Sequence, residues 1–478
     1  MTLDSVALLS KLETDLSHTT AKIYRPDSVE FNEIAQCFIH KPVRTPAVVR
    51  PRTADDVASV MQFCLRNKAG FTVRSGGYDC AARTRVDGAL VIDMRDMNQV
   101  TVSEDKGSAT VGGGILHGDL ARALGEEGLA TPVGNVASLG YTGWSTLGGY
   151  GPLSSGYGLG VDQILGAKTV NARGEIQTAS EELLVGIRGG GGSLGIITEL
   201  TIKVYPLDKV RDDINGRTGV DSLLTRRYYS SQMLSSIILY ESSNLEGTIT
   251  TYNQHYEHLL ATQELSDCLQ LQPTITQIPK MGTVFGVMLT WHGENKEEGY
   301  AWIESFAKAG TCVMKATQET TLAEVLKERD NLVTWPSYGR LVTLNLRQLT
   351  ERTIAVLARH CPNAPGVGFI FSFKPRHKIR SLRLELEINT AIPESCLANE
   401  RLEWGSRIKA DLEVEDTDNI LESSYIALGS HEVNLKRVYG QHYSTLMTLK
   451  EKYDPDNIFK HTVPRLAPVG VGRRTLEV

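Results

Sequence analysis

The sequence predicts an α+β fold, in which short helices and strands around glycine loops precede a longer antiparallel sheet. A helix with one apolar face begins at Thr53, between short apolar extended segments. Of the 44 glycines, 23 fall between Gly112 and Gly195. Beyond Pro206 glycine becomes sparse, and alternating apolar segments such as Thr283–Trp291 and Ser381–Ile388 follow. Strands and helices arranged in this way are typical of the α+β class.

The first elements surround the helix at Thr53. Pro46–Val49 is predicted as an extended segment, and Asp56 forms a capping-box pair with Thr53. Apolar residues then recur at helical spacing over residues 57–65, and Gly70 is expected to end the helix.

Strands alternate with glycine loops after this helix. Phe71–Arg74 and Ala89–Asp93 are predicted as strands, with a tight loop at Ser75–Asp79 between them. The run Gly112–Gly114 precedes a predicted helix at Leu116–Leu124. Glycine at strand ends lets the backbone lie against a ligand, which we favour over simple turns for runs of three or four.

A second kind of organisation is expected after Pro206. Helices at Lys296–Lys308 and Leu322–Asn331 alternate with long strands, which indicates helices packed on one antiparallel sheet. The last predicted element is a helix over Tyr439–Phe459, which contains the turn signal Asp454-Pro455 near its end.

Length and composition exclude several classes of protein. A chain of 478 residues with 41% hydrophobic and 22% charged residues is an ordinary globular sequence, neither disordered nor a multi-span membrane protein. Its formal charge of -6 lacks the basic excess that nucleic-acid binding requires. We therefore expect a small-molecule substrate and neither a nucleic-acid nor a membrane partner, and the sequence leaves the oligomeric state open.

The cysteines and the first residues indicate the compartment. The seven cysteines are scattered with no CxxC pair, which argues against a disulfide framework and against a zinc or other metal centre. Residues 1–12 lack the basic region and small-residue cleavage site of a signal peptide. A cytoplasmic location is expected.

The run Gly190–Gly195 matches the GxGxxG pattern formally, but its context differs from a dinucleotide fingerprint. It leads into the alternating, β-branched segment Ile196–Val204 instead of a helix. The remaining interpretation is a set of glycine loops whose backbone N–H groups bind a pyrophosphate.

Four segments in order, together with a C-terminal motif, resemble the FAD domain of the berberine bridge enzyme-like oxidases of the vanillyl-alcohol oxidase superfamily. The four segments are Val73–Tyr78, Gly134–Gly140, Gly148–Leu153 and Gly189–Thr198, and the C-terminal motif lies within residues 443–459. The resemblance implies a PCMH-type two-part FAD-binding domain with an inserted substrate domain of antiparallel sheet covered by helices. The implied parts are an N-terminal segment (1–42), the FAD-binding domain (43–206), the substrate domain (207–420) and a returning C-terminal segment (421–478).

The resemblance also implies the cofactor-binding residues. The first loop would wrap the pyrophosphate, the second and third would contact the flavin and ribityl side, and the fourth would close the site. These residues are Arg74, Ser75, Gly76, Gly77, Tyr78, Asp79, Val136, Leu139, Gly140, Gly143, Gly148, Gly149, Gly151, Gly192, Ile196 and Ile197.

The chain departs from the family at both positions of covalent flavin attachment. Tyr78 stands where many members have the histidine that bonds to the flavin, and Val136 stands where many have the cysteine. FAD is therefore expected to be held noncovalently. Leu139 falls where the family has Val or Leu beside the flavin, and the larger residue is associated with dehydrogenase-like behaviour.

The catalytic residues depart from the family as well. The Tyr-x-Asn-Tyr segment of the family aligns with Tyr425-Ile426-Ala427-Leu428, which leaves Tyr425 as a candidate acid or base. His442 replaces the usual Asn before the C-terminal Tyr, as either a proton-transfer group or a hydrogen-bonding replacement. Tyr141 and Trp144 are candidates for lining the substrate pocket, or for filling space.

The leading interpretation is an FAD-dependent oxidoreductase of natural-product metabolism that oxidises a largely apolar small molecule by hydride transfer. The alternative is a non-redox cyclase or isomerase on the same scaffold, with FAD structural or absent. A binding protein without catalysis is the third possibility. The retained glycine loops favour the first, and the altered catalytic positions favour the others.

Overall fold

A computed structural model describes residues 3–207, 229–366, 368–375, 384–429 and 433–468. The elements of the N-terminal part are α1 (Leu3–Asp15), β1 (Lys22–Tyr24), α2 (Phe31–Ile34), β2 (Val48–Arg50), α3 (Ala54–Asn67), β3 (Phe71–Arg74) and β4 (Leu90–Asp93). The glycine-rich part continues with β5 (Val100–Val102), β6 (Ser108–Gly112), α4 (His117–Glu126), β7 (Leu129–Ala130), α5 (Tyr141–Thr146), α6 (Ser154–Tyr157), β8 (Ile164–Val170), β9 (Ile176–Thr178), α7 (Glu181–Gly190), β10 (Ile196–Lys203) and β11 (Tyr205–Pro206).

The remaining elements build the large sheet and the C-terminal segment. They are β12 (Tyr229–Tyr240), α8 (Leu245–Thr262), β13 (Leu269–Ile278), β14 (Gly282–Gly293), α9 (Lys296–Ala307), β15 (Cys312–Thr320), α10 (Leu322–Asp330), β16 (Leu341–Leu346), α11 (Glu351–His360), β17 (Gly368–Pro375), β18 (Leu384–Asn389), α12 (Ala398–Glu415), α13 (Leu435–Tyr439) and α14 (Tyr443–Tyr453). Residues 381–383 of the strand predicted at Ser381–Ile388 lie outside the described ranges.

Three sheets and a two-stranded pair organise these elements. A four-stranded sheet has the order β1-β2-β4-β3, in which β2, β4 and β3 are parallel. A five-stranded antiparallel sheet has the order β5-β6-β10-β8-β9, and β7 pairs with β11. The largest sheet has the order β15-β12-β14-β13-β17-β18-β16 and is antiparallel. The predicted α+β class is confirmed.

Local sequence signals determine where helix α3 begins and ends. Thr53 accepts a hydrogen bond from the Asp56 backbone N–H at 3.0 Å, and the Asp56 carboxylate accepts one from the Thr53 N–H at 3.2 Å. The helix ends at Asn67, before the expected Gly70, because Lys68 adopts the left-handed conformation with φ of 49°.

The predicted C-terminal helix over residues 439–459 is wrong in extent. Helix α13 ends at Tyr439, Gly440 has a φ of +51°, and a 3₁₀ turn leads into α14. Helix α14 ends at Tyr453, one residue before Asp454-Pro455, because the residue before proline disfavours the helical conformation.

The two faces of the seven-stranded sheet differ in polarity. One face contributes Leu271, Phe285, Leu289 and Leu386 to a core that α8, α9, α11 and α12 cover. The alternate residues face the glycine loops, and among them Gln272 and Glu387 line the cavity described below. The sheet therefore presents a polar surface to the glycine-rich part of the chain.

Helix α10 packs away from the core of the large sheet. Its Leu322 and Leu326 belong to the core of the glycine-rich part, with Val111, Leu120 and Leu124. One helix from residues 207–420 is thus integrated into the preceding unit, although the domain boundaries themselves stay a prediction.

Within the described ranges, none of the helices combines the length and the apolar character needed to cross a bilayer. The cytoplasmic location stays a prediction.

Candidate active site

A cavity of about 380 Å³ lies between the glycine loops and the polar face of the large sheet. One wall contains residues 73–80, residues 135–147 in part, and the segment around Gly192. Gln272, Leu341 and Glu387 form the facing wall. Its volume falls in the range of about 300–1,000 Å³ typical of cofactor and ligand sites.

The first and second glycine loops cross in direct contact at Gly76 and Gly140. A Cβ at Gly76 would lie 2.3 Å from the Gly140 nitrogen, and a Cβ at Gly140 would lie 2.3 Å from the Gly76 nitrogen. Gly77 has a φ of +79°, which favours glycine. The backbone of both loops lines the cavity because neither loop carries a side chain at the crossing.

Arg74 lines the cavity, but its charge is directed into the protein. Its guanidinium donates to Asp93 at 2.6 Å, to the Gln36 carbonyl at 3.0 Å and to the Ile34 carbonyl. Burial opposes the charge, yet the Asp93 carboxylate raises the pKa of Arg74 above its ordinary value. Arg74 thus joins the N-terminal segment to the first loop, and its expected contact with a pyrophosphate receives no support from this geometry.

Asp79 also has its partners within the protein. Its carboxylate accepts hydrogen bonds from the Arg83 guanidinium at 2.9 Å and from the Thr84 backbone N–H at 2.8 Å. Burial would raise the pKa of Asp79, but Arg83 and the hydrogen bonds lower it below its ordinary value. Arg83 donates in turn to the carbonyl of Ala427, so this ion pair links the first loop to the C-terminal segment.

Tyr78 and Val136 both line the cavity, at the two positions that the resemblance associates with covalent attachment. The Tyr78 ring stacks on Phe38 with centroids 4.4 Å apart and meets Trp335 edge-on at 5.4 Å. Burial raises the pKa of the Tyr78 phenol well above its ordinary value, and nearby carboxylates add to the shift. The phenol is neutral at physiological pH and is a poor nucleophile for that reason.

The predicted flavin-side glycines divide into two groups. Gly140 and Gly143 line the cavity, as do Ser75 and Leu139 of the neighbouring loops. Three other glycines do not line the cavity, and each allows another part of the protein to pack closely against its backbone. Gly148 lies against the Tyr425 ring, Gly149 lies against the Trp144 ring, and Gly151 lies against the Val133 carbonyl.

The fourth loop contributes Gly192, Ile196 and Ile197 to the cavity. Lys450 of α14 donates to the Ser193 carbonyl at 3.0 Å and pairs with Asp454 at 2.5 Å, with both charged side chains fully buried. The C-terminal segment therefore holds this loop in place from behind.

Of the two aromatic candidates, only Trp144 lines the cavity. Tyr141 is fully buried beside Trp144 and His117, with ring centroids 5.5 and 5.6 Å away. The expectation that Tyr141 lines a substrate pocket is corrected, because the ring fills the core behind the second loop.

Only one of the two catalytic candidates lies at the cavity. Tyr425 lines the cavity, and its hydroxyl accepts a hydrogen bond from the Gly149 backbone N–H at 3.2 Å. His442 lies in the exposed 3₁₀ turn before α14, against Gln441, and outside the cavity wall. The expected place of His442 near the flavin is corrected: the turn orients its ring toward solvent.

Sequence reasoning missed the pair formed by Tyr150 and Glu387. The Tyr150 hydroxyl donates to the Glu387 carboxylate, and both residues are buried and line the cavity. Burial raises the pKa of Tyr150 well above its ordinary value, and Glu385, Glu387 and Tyr425 add to the shift. The available signal was a pair of acidic residues alternating with apolar ones along β18, at a spacing that directs both to one face.

The walls fit an extended, flat cofactor such as FAD. A Cβ at Gly143 would meet no protein atom within 4 Å, and one at Gly192 would meet only Thr462 at 3.8 Å. Packing within the protein therefore does not require glycine at these two positions, and the missing side chains leave room inside the cavity. Backbone at the Gly76–Gly140 crossing supplies the close approach that a pyrophosphate needs.

Comparison with known proteins agrees with the interpretation of this cavity as an FAD site. A family described as "FAD binding domain" matches residues 45–180, and one described as "Berberine and berberine like" matches residues 429–464. FAD-linked oxidoreductase aurO of Gibberella zeae is 25% identical over 466 residues, which cover 93% of this chain and 85% of that protein. (R)-6-hydroxynicotine oxidase of Paenarthrobacter nicotinovorans is 35% identical over 205 residues, 42% of this chain and 44% of that protein.

Two solved structures share the fold. 6-Hydroxy-D-nicotine oxidase from Arthrobacter nicotinovorans superposes with a TM-score of 0.77 at 21% identity, covering 94% of this chain and 98% of that chain. Wild-type BBE-like 1 from Physcomitrella patens gives a TM-score of 0.75 at 18% identity, covering 94% and 97%. These likenesses confirm the predicted fold class.

Proposed function

Because this chain belongs to the berberine bridge enzyme-like FAD-linked oxidoreductases, we propose that it oxidises a largely apolar alcohol or amine with noncovalently bound FAD. The observation that carries the proposal is the buried Tyr150–Glu387 pair, which joins the third glycine loop to the large sheet at the cavity wall. Natural-product metabolism is the setting we propose, because most of the lining surface is apolar.

The first, second and fourth glycine loops would hold the cofactor. FAD, when bound, supplies a two-electron acceptor that takes a hydride from a C–H bond of the substrate. Gly143 and Gly192 leave the space for it, and the crossing of Gly76 and Gly140 presents backbone to it.

Glu387 is the proposed proton acceptor. Asp79 and Glu387 are the carboxylates among the described lining residues, and Asp79 is already paired with Arg83. As the C–H bond breaks and its electron pair leaves with the hydride, an oxygen of Glu387 takes the proton from the adjacent O–H or N–H. The carbon then forms a double bond to oxygen or nitrogen, so atoms and electrons balance.

Tyr150 and Tyr425 would orient this carboxylate and the substrate. The raised pKa of Tyr150 keeps its phenol protonated, so it donates a hydrogen bond and does not act as a base. The Tyr425 ring lies 5.1 Å from that of Tyr150, and its hydroxyl is fixed by the Gly149 N–H. Leu341 and Leu428 on the neighbouring wall would exclude water from the reacting atoms.

Noncovalent binding is supported by what occupies the two attachment positions. Tyr78 is a neutral phenol packed between Phe38 and Trp335, and Val136 has no nucleophilic atom. Acid precipitation of the purified protein should release the yellow cofactor into the supernatant, and colour retained in the pellet would contradict noncovalent binding.

The oxidation itself is tested by anaerobic mixing with a panel of apolar alcohols and amines. A substrate should bleach the visible flavin absorbance in a single turnover, because electrons have no other acceptor. Product formed with the flavin absorbance unchanged, and formed equally well by deflavinated protein, would instead support the cyclase or isomerase alternative.

A further inference from the structure

Helix α10 ends against the second glycine loop, residues 134–140, although it comes from the inserted part of the chain. Asp330 accepts a hydrogen bond from the Ser138 hydroxyl at 2.6 Å. Arg329 donates to the Asn135 side-chain oxygen at 3.0 Å, and the Leu326 carbonyl accepts from the Ala137 backbone N–H at 3.2 Å. We call Leu326, Arg329 and Asp330 the α10 clamp.

The same loop is also bound by α4. The Gly134 backbone N–H donates to His117 Nδ1 at 2.7 Å. The backbone N–H of His117 donates to the Leu139 carbonyl at 2.9 Å. Burial lowers the pKa of His117 to about 3, so the ring is neutral and its Nδ1 remains an acceptor. The loop is thus bound by one helix of the glycine-rich part and by one helix of the inserted part.

Both positions that lack a covalent attachment residue are connected to this inserted segment. Val136 is in the loop that the α10 clamp holds, between Asn135 and Ala137. Tyr78 packs edge-on against Trp335, five residues beyond Asp330. Residues 326–335 therefore contact Tyr78 directly and bind the two residues that flank Val136.

The charged side chain of Arg329 acts on the cavity wall through Asn135. Burial lowers the pKa of Arg329 to about 10, which still leaves its guanidinium charged at neutral pH, and Asn135 is its hydrogen-bond partner. Asn135 lines the cavity, so Arg329 helps to fix the position of one lining side chain. Hydrogen bonds to charged groups are stronger than those between neutral groups.

We propose that Arg329 and Asp330 are positioning residues that hold residues 134–140 in the cofactor-binding conformation, and so replace part of the retention that a covalent bond would supply. The proposal rests on the noncovalent binding of FAD proposed above. Because the clamp and the cofactor act on one loop, each stabilises the other by thermodynamic linkage.

The test measures FAD binding to deflavinated protein by quenching of flavin fluorescence. Asp330→Ala and Arg329→Met should each raise the Kd for FAD by about tenfold to a hundredfold. Asp330→Asn keeps an acceptor for Ser138 and should stay within about threefold of wild type. Ser138→Ala removes the same hydrogen bond from the loop side, and the double variant with Asp330→Ala should bind FAD no more weakly than the worse single variant.

A matched control lies on the same helix. Lys327→Met removes an exposed positive charge next to the clamp and should leave the Kd unchanged. Wild-type Kd values for Arg329→Met and Ser138→Ala would overturn the proposal, as would a loss of stability of the deflavinated variants that accounts for the whole change in Kd. Ser138→Ala and Arg329→Met keep the test valid if Asp330→Ala does not fold.

A second measurement separates this proposal from the proposed function. The temperature at which flavin fluorescence appears is compared with the unfolding temperature measured by circular dichroism. In clamp variants the fluorescence should appear at a lower temperature, while the unfolding temperature of the deflavinated protein is unchanged. Colour retained in acid would contradict noncovalent FAD alone, whereas unchanged fluorescence onset would contradict the clamp.

Discussion

Arg74 and Asp93 are direct register partners on the parallel strands β3 and β4, and their side chains form a buried ion pair at 2.6 Å. Arg50 and Arg95 reach the same carboxylate at 2.8 and 2.9 Å. One fully buried carboxylate thus organises three guanidinium groups behind the first glycine loop.

The first prediction concerns the pH dependence of stability that Asp93 confers. Burial alone would raise the pKa of Asp93, but Arg74 and Arg95 lower it well below its ordinary value. A carboxyl group with a lowered folded-state pKa stabilises the fold above its unfolded pKa, and this stability is lost as pH falls below about 4. Asp93→Asn should cost about 3–5 kcal/mol at pH 7, because it leaves buried guanidinium charge unpaired. It should also flatten the acid limb of the stability curve measured by denaturant unfolding.

Asp87→Asn is the control for this prediction. Asp87 pairs with Arg44 at the surface, where both side chains are largely exposed. Its removal should change stability little, since solvent screens such pairs. Equal effects of the two substitutions would contradict the central role of Asp93.

The second prediction distinguishes glycines that the fold needs from glycines that the cofactor needs. Gly76→Ala should destabilise the deflavinated protein by about 1–3 kcal/mol, because its Cβ would overlap the Gly140 backbone. Gly143→Leu should leave that stability nearly unchanged, because its Cβ meets no protein atom within 4 Å, yet raise the Kd for FAD at least about tenfold. Gly125→Ala, with open space at its Cβ in helix α4, should not lower stability and should leave the Kd unchanged. Full FAD affinity in a folded Gly143→Leu variant would show that the cofactor lies elsewhere.

The third prediction assigns proton removal to Glu387. Glu387→Gln should slow anaerobic flavin reduction at saturating substrate by roughly 10²- to 10⁴-fold, with KM largely retained, because the acceptor is lost while the shape is kept. His442→Ala should react at the wild-type rate, since the ring is exposed and lies outside the cavity wall. A slow His442→Ala variant combined with a normal Glu387→Gln variant would reverse the assignment.

The fourth prediction concerns the closure of the fourth glycine loop by the C-terminal helix. Lys450→Met should cost about 3–5 kcal/mol in unfolding free energy, because Asp454 would remain as a buried, uncompensated charge. Lys452→Met, on the same helix, removes an exposed partner of Glu182 and should have little effect. Adding Asp454→Asn to Lys450→Met should restore part of the lost stability. A Lys450→Met variant as stable as Lys452→Met would contradict this account of the closure.

The sequence by itself determined the elements and motifs that depend on near neighbours along the chain. The Thr53–Asp56 cap, the apolar face of α3 and the strand Phe71–Arg74 follow from contacts or alternation within a few residues. The glycine loops and their order were sufficient to predict the family and the fold, and most of the predicted loop residues do line one cavity. Local patterns are readable because their geometry repeats every two or 3.6 residues.

Only the tertiary structure decided which side chains meet. Tyr150 and Glu387 are 237 residues apart, and only the packing of the third glycine loop against strand β18 brings them together. His442 was excluded from the site by the orientation of a single 3₁₀ turn, which no periodicity encodes. Helix α10 has ordinary helical signals, yet its Leu322 and Leu326 pack into the glycine-rich part instead of the large sheet. Long-range pairing depends on sheet register and on the packing of whole elements, and a local pattern is compatible with many such arrangements.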